Sequence, residues 1–173
     1  MGCDIHPRAE VRRNGQWEIV GDIFPYDDWA RSYHKCDYTN EPFYWRDYGM
    51  FGFLAGVRNY SAIPPISEPR GFPVDLSPEL RALTDLNIWD GHSASWLSLA
   101  DLFAVDYDTS IEDRRCTVQT GPNSFNGGAT CEPGQGEQTT LREFLGSLFF
   151  QHLDVLNGLG SPGNVRVVFW FDN

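Results

Sequence analysis

Residues 165–171, VRVVFWF, constrain the fold more than any other stretch. Along an extended chain successive side chains leave opposite faces, and here nearly every position on both faces is apolar. Such a strand belongs in the middle of a sheet, covered on both sides. The N-terminus supplies a second strand. Cys3, Ile5, Ala9 and Val11 alternate with Asp4, His6, Arg8, Glu10 and Arg12, the pattern of a strand with one buried face. Asn14-Gly15 then marks a hairpin. A two-residue loop would set Val11 against Glu18 and Arg12 against Trp17. A three-residue loop, Arg13 to Gly15, pairs Val11 with Trp17 and Ala9 with Ile19, so that apolar faces apolar, and this register is the expectation. It places Glu10 opposite Glu18, on the face that carries Asp4 and His6. Like charges opposed across a ladder destabilise a sheet, so Arg8, Arg12 or a bound cation is expected to answer them. Pro7 cannot donate to a ladder, which asks for a bulge or an edge there.

Between these ends the chain reads as helices and loops. Residues 25–45 are aromatic and polar without a period, a long irregular loop. A helix is expected at about 47–57, capped by Asp47, with Tyr48, Phe51, Leu54 and Ala55 on one face. Its glycines cost about 1 kcal/mol each against alanine, so close packing should require them. Residues 61–75 are proline-stiffened, and Ser77-Pro78 opens a short helix. Residues 88–97, IWDGHSASWL, read as a turn and a short extended piece, and Ser98 to Asp101 as a capping box. About 106–138 is polar and glycine-rich, a surface insertion with one strand at Cys116–Thr120. Thr140 and Glu143 form a second capping box, opening a helix with Leu141, Phe144, Leu145, Leu148, Phe149, His152, Leu153 and Leu156 on one face, ended by Gly158. With no linker or repeat, residues 1–173 read as one α+β domain. Its mixed or antiparallel sheet contains the hairpin and the C-terminal strand, with helices packed on one face.

Charge narrows the function. Thirteen Lys and Arg against 24 Asp and Glu leave a net charge of −11, and the basic stripe that duplex DNA needs is missing. No apolar run is long enough to cross a bilayer, and the first apolar residues alternate with charges, unlike a signal peptide. The cysteines, Cys3, Cys36, Cys116 and Cys131, include no CxxC pair and read as free thiols of a reducing cytoplasm, with Cys116 and Cys131 able to pair on oxidation.

The candidate chemistry lies in a few places. Asp4 and His6 leave one strand face about 7 Å apart, close enough to share a metal or a phosphate; an exposed polar face or a hydrogen-bonded pair is the alternative. An Asp-x-His strand opens the binuclear metallophosphoesterases, and Gly21-Asp22 and Gly91-His92-Ser93-Ala94 echo two of their later ligand motifs. The chain departs from that superfamily at Ala94, lacks Gly-Asn-His, and carries Gly21-Asp22 after a hairpin. His92, beside Asp90 and Ser93, suits a general acid/base or a ligand, or else a turn histidine bonded to backbone. His152 reads as a core histidine; His34 and Cys36 alone make a poor metal site. Arg46, Arg58 and Arg70 sit among aromatic and glycine residues, as phosphate-binding arginines do, unless carboxylates hold them.

Taken together, MGCDIH at the start, RDYGMFGFLAGVRN, ISEPRGFPVDLSPEL with DGHSASWL, and the terminal VRVVFWFDN resemble an uncharacterised family of small proteins encoded by phages and their bacterial hosts. Its members often carry His-Ser-His-Ser where this chain has His92-Ser93-Ala94-Ser95. The resemblance implies a phage context and the host bacterial cytoplasm. Small phage proteins of this kind often counter host defence, with nucleotide second messengers a frequent target.

The expectation is therefore a cleft for a small phosphorylated ligand, most concretely a nucleotide immune signal, between the first strand and the Arg58–Arg70 and His92 loops. In the hydrolytic version His6 and His92 act as acid/base pair or metal ligands, with Asp4 and Glu10 as ligands or orienters. Arg46, Arg58, Tyr60, Arg70, Ser93, Ser95 and Trp96 bind the ligand. Asp4, His6 and His92 are the candidate ligands of a divalent metal. In the alternative the cleft is a sponge that releases the nucleotide unchanged, and in a third reading the surface inhibits a host protein. A homo-oligomer is compatible with all three.

Overall fold

The computed structural model describes residues 2–25, 41–87, 91–122 and 124–173. Most of the expected loop at 25–45, with His34 and Cys36, lies outside them, as does Asp90. The described elements are β1 (Asp4–Arg13), β2 (Gln16–Val20), α1 (Tyr48–Ala55), α2 (Pro78–Asn87), β3 (His92–Ser98), α3 (Leu99–Phe103), β4 (Ser110–Asp113), β5 (Arg115–Gly121), β6 (Ser124–Thr130), β7 (Glu137–Thr140), α4 (Leu141–Asn157) and β8 (Val165–Asp172). The fold is α+β with antiparallel sheets. The chain forms two compact units: residues 1–46, 69–104 and 147–173, and residues 47–68 with 105–146.

The first unit holds a sheet ordered β2-β1-β8-β3. The C-terminal strand is central, and Val165 to Trp170 are buried on both faces. On one face Val168 and Trp170 form a cluster with Leu76 and with Leu80 of α2, joined by Ile19, Phe72, Leu83, Ala94 and Trp96. The opposite face carries Ile5, Ala9, Val11, Val167, Phe169 and Phe171, all buried. β2 stops opposite Ala9, so at Pro7 strand β1 is paired only with β8, in an unbroken register. That is how the sheet tolerates a residue without an amide hydrogen.

The hairpin corrects the expected register. Its loop has two residues, Asn14 and Gly15, both left-handed (φ 50° and 82°), as a type I′ turn requires. Val11 faces Glu18, Arg12 faces Trp17, and Glu10 faces Ile19 rather than Glu18. Pairing apolar with apolar assumed that the even face of β1 is wet. It is covered around Glu10: Trp17 and Ile19 are needed there, over Arg166 and beside the Leu76–Trp170 cluster. Glu18 is answered locally by Arg13, Nη1 to Oε2 3.3 Å.

The caps form as expected. Leu80 N donates to Ser77 Oγ (3.3 Å), Ser98 and Asp101 complete a capping box on α3, and Thr140 and Glu143 exchange backbone-to-side-chain bonds at 3.2 Å. The helix they open is interrupted at Gly146, whose φ of 75° and ψ of 167° are non-helical. His152 is fully buried. Its Nδ1 accepts from Phe43 N (3.0 Å) and its Nε2 donates to Pro25 O (2.6 Å), a pattern only the neutral ring satisfies.

In the second unit α1 is capped by Asp47, which accepts from Gly49 N and Met50 N, and closes on left-handed Gly56. A Cβ on Gly49 would stand 2.6 Å from the Phe144 ring, and one on Gly52 2.6 Å from Asn59 Oδ1, which explains glycine at both places. The polar stretch read as an insertion with one strand carries β5 there and more besides: β4 pairs with β7, and β5 with β6. Cys116 and Cys131 are free.

Candidate functional site

The chain leaves regular geometry at the start of β3. His92 pairs with Phe171 and Ser95 with Phe169, so three steps on β3 span two on β8. The bulge is taken up at Ser93, which adopts a left-handed φ of 51°, uncommon for a residue with a side chain. Such strain costs roughly 1–3 kcal/mol and gathers at ligand sites. Beside the bulge is a cavity of about 240 Å³, lined by Phe72, Thr84, Gly91, His92, Ser93, Ala94 and Trp170. Its walls come from the segment before α2, from α2, from the bulge and from β8. Phe72 stands edge-on to Trp170 at 5.8 Å.

His92 is held in the cavity wall by stacking on Phe171 (6.1 Å) and by a contact of 3.0 Å between Nδ1 and Ser93 Oγ. Its Nε2 is buried with no hydrogen-bond partner among the described residues. A buried polar nitrogen left alone costs about 1–3 kcal/mol, so the site holds binding capacity that the described residues do not use. Thr84, 4% exposed, donates its hydroxyl to Arg81 O at 2.9 Å and keeps its lone pairs. The lining thus joins the Phe72 and Trp170 rings and the Ala94 methyl to the polar atoms of Thr84, His92 and Ser93.

The row of acids and histidine on β1 resolves into three separate arrangements. Asp4 receives Arg46 through Nε (2.7 Å to Oδ1) and Nη2, a bidentate pair about half exposed. His6 Nε2 lies 2.9 Å from Asp172 Oδ2, and its ring stacks on Trp170 at 5.5 Å. Glu10 is fully buried. It accepts from Arg166 Nε (2.8 Å) and from Ser77 N (2.8 Å), while Arg166 Nη1 reaches Asp75 (2.7 Å) and its guanidinium lies 3.9 Å over the Trp17 ring. Arg166, with Trp17, outweighs desolvation and leaves the Asp75 carboxyl below its usual range. Glu10 is therefore a core ion-pair member rather than an open ligand. The cation that answers β1 is protein: Arg46 for Asp4, Arg166 for Glu10, with Arg8 turned to Glu41 (2.8 Å).

The expected metal set of Asp4, His6 and His92 is not assembled. His6 and His92 lie on strands flanking β8, about 10 Å apart at the backbone, and no cluster of three His, Cys, Asp or Glu suited to a metal forms among the described residues. Arg70 also has a protein partner. Its guanidinium binds both oxygens of Asp101 (3.0 and 3.2 Å) and Trp96 O (3.3 Å), and stacks over Trp96 at 5.1 Å. Burial alone would raise the Asp101 carboxyl; Arg70 and the cap at Ser98 hold it below the usual carboxylate range. Arg70 N donates to Ser95 Oγ and Gly71 N to Ala94 O, so Ser95, Trp96 and Arg70 fasten the segment carrying Phe72 to β3. Arg58 and Tyr60 belong to the second unit, where Nη1 lies 3.5 Å from the Tyr60 hydroxyl.

Of the sequence-derived candidates, His92 and Ser93 line the cavity. Gly91 and Ala94 stand in the sequence motif around His92 without being assigned a binding role; Phe72, Thr84 and Trp170 are not singled out from sequence, and of these only Trp170, a large ring in the strand that had to be central, carries a visible signal. The chain matches no protein-family model, no curated protein and no solved structure.

Proposed function

We propose that this chain binds a small phosphorylated ligand, a nucleotide signal, by seating its base in the His92 cavity, and holds it without cleaving it. The observation that carries the reading is a cavity walled by Phe72 and Trp170 and bordered by a strained Ser93 and a His92 nitrogen with no partner among the described residues. A flat ring packs well against aromatic walls, and a few polar atoms set its orientation. The volume, about 240 Å³, falls below the roughly 300–1,000 Å³ of pockets that enclose drug-sized ligands, so it suits one base with the phosphates outside.

Sequestration is favoured over hydrolysis by the state of the expected catalytic groups. His6 is bonded to Asp172 and is not among the cavity's lining residues, and Arg46 and Arg70 are each bidentate on a carboxylate. A role against host defence in the bacterial cytoplasm follows from the resemblance to phage-encoded proteins. No helix among the described residues is long and apolar enough to cross a membrane.

The test is incubation with cyclic dinucleotides, cyclic mononucleotides and ADP-ribose-type signals, followed by chromatography before and after denaturing the protein. The expected result is intact ligand recovered only after denaturation, lost in Ala94→Phe, which fills the cavity. New products would move the assignment to phosphodiester hydrolysis. No retention of any nucleotide would overturn it.

A further inference from the structure

From Cys116 to Cys131 the chain carries no formal charge, although the whole molecule has a net charge of −11. This neutral stretch is the β5–β6 hairpin of the second unit. The two strands pair only with each other among the described strands, so each has an outer edge outside the ladder. β6 has company on its side: a Cβ on Gly128 would stand 3.1 Å from the Tyr60 ring, and Thr130 Oγ1 donates to Tyr60 O at 2.8 Å. β5 is exposed at Thr117, Val118, Gln119 and Thr120. Large apolar side chains also stand in water here, Val118 at 46% and Phe125 at 65% exposure.

We infer that this chain self-associates through β5: the strand pairs antiparallel with β5 of a second copy about a twofold axis, which draws the exposed Val118 into the new ladder. Open edge strands are templates for pairing, and proteins usually guard them with lysine or other charges; past Arg115 at its start, β5 carries none. The occupant follows from charge. Two copies of a strongly acidic chain repel across most of their surfaces, and the contact of least repulsion joins neutral patch to neutral patch. An antiparallel pair of identical strands is self-complementary, as a closed twofold dimer requires. One added ladder buries little area, so the dimer belongs with weak, transient interfaces.

The test is sedimentation equilibrium of the full chain at about 10 to 300 µM, in low salt and in about 0.5 M NaCl, the range suited to a weak interface. The expected result is a monomer–dimer equilibrium that strengthens with salt, because screening removes the repulsion between acidic copies. Val118→Lys, and independently Thr117→Lys at a polar exposed position with no packing to lose, should each raise the dissociation constant roughly tenfold or more, with the near-ultraviolet spectrum unchanged. In the wild type, hydrogen exchange of the β5 amides should slow as concentration rises. A monomer throughout, or a dimer indifferent to both lysines, or β5 exchange independent of concentration, would overturn the proposal.

Discussion

Glu10 and Arg166 face each other across the β1–β8 ladder, both buried, with Arg166 Nε 2.8 Å from Glu10 Oε2. The pair joins the two ends of the chain and, through Ser77 and Asp75, ties the segment before α2 to the sheet. Removing one partner leaves the other charge buried. Glu10→Ala should therefore lower unfolding free energy by about 3 kcal/mol, the low end of such losses because Asp75 still holds Arg166. Replacing both, Glu10→Leu with Arg166→Met, should cost less than Glu10→Ala alone. Urea denaturation of the three proteins reads this directly.

His152 makes stability depend on pH. Burial pushes its imidazole down to about 4, against a usual value near 6.5. The unfolded chain then binds the proton more readily, so the contribution is present above about pH 6.5 and is lost as pH falls toward 4. Between pH 7 and 4.5 the wild type should lose about 2–3 kcal/mol more than His152→Phe, compared by urea midpoints.

The two-residue turn is testable at Gly15, whose φ of 82° suits glycine. Gly15→Ala should destabilise by about 1 kcal/mol, whereas Asn14→Gly should stay within about 0.5 kcal/mol of the wild type, in thermal or urea unfolding.

Gly49 lies in a helix, where alanine alone would gain about 1 kcal/mol. The 2.6 Å approach of its absent Cβ to the Phe144 ring reverses the sign. Gly49→Ala should be net destabilising by about 1–2 kcal/mol, as overpacking predicts, measured by the same unfolding curves.

Legibility in the sequence followed the range of the interaction. Local signals held: the unbroken apolar strand at the C-terminus, the caps at Asp47, Ser77, Ser98 and Thr140, and a buried His152. The loop length was misread because a half-buried strand shows alternation, and so does a strand whose polar face is covered by partners far away in sequence. Trp17, Asp75 and Arg166 supply that cover, and alternation on β1 does not reveal them. The arginines were visible as cations among aromatics, but the carboxylates that hold them, Asp4 for Arg46 and Asp101 for Arg70, are set by tertiary packing. The cavity was half legible. Glycine, histidine and serine at 91–93 announced a special turn, while Phe72, Thr84 and Trp170 reach it from separate segments.

The central claim, that a nucleotide seats its base against Trp170 beside His92, is tested most directly by fluorine resonance of 5-fluorotryptophan-labelled protein. Trp170→Phe assigns the Trp170 signal. Titration with the nucleotide retained in the denaturation assay should shift that signal saturably at one equivalent, and Ala94→Phe should abolish the shift. Saturable binding that leaves the Trp170 signal unmoved would contradict the account.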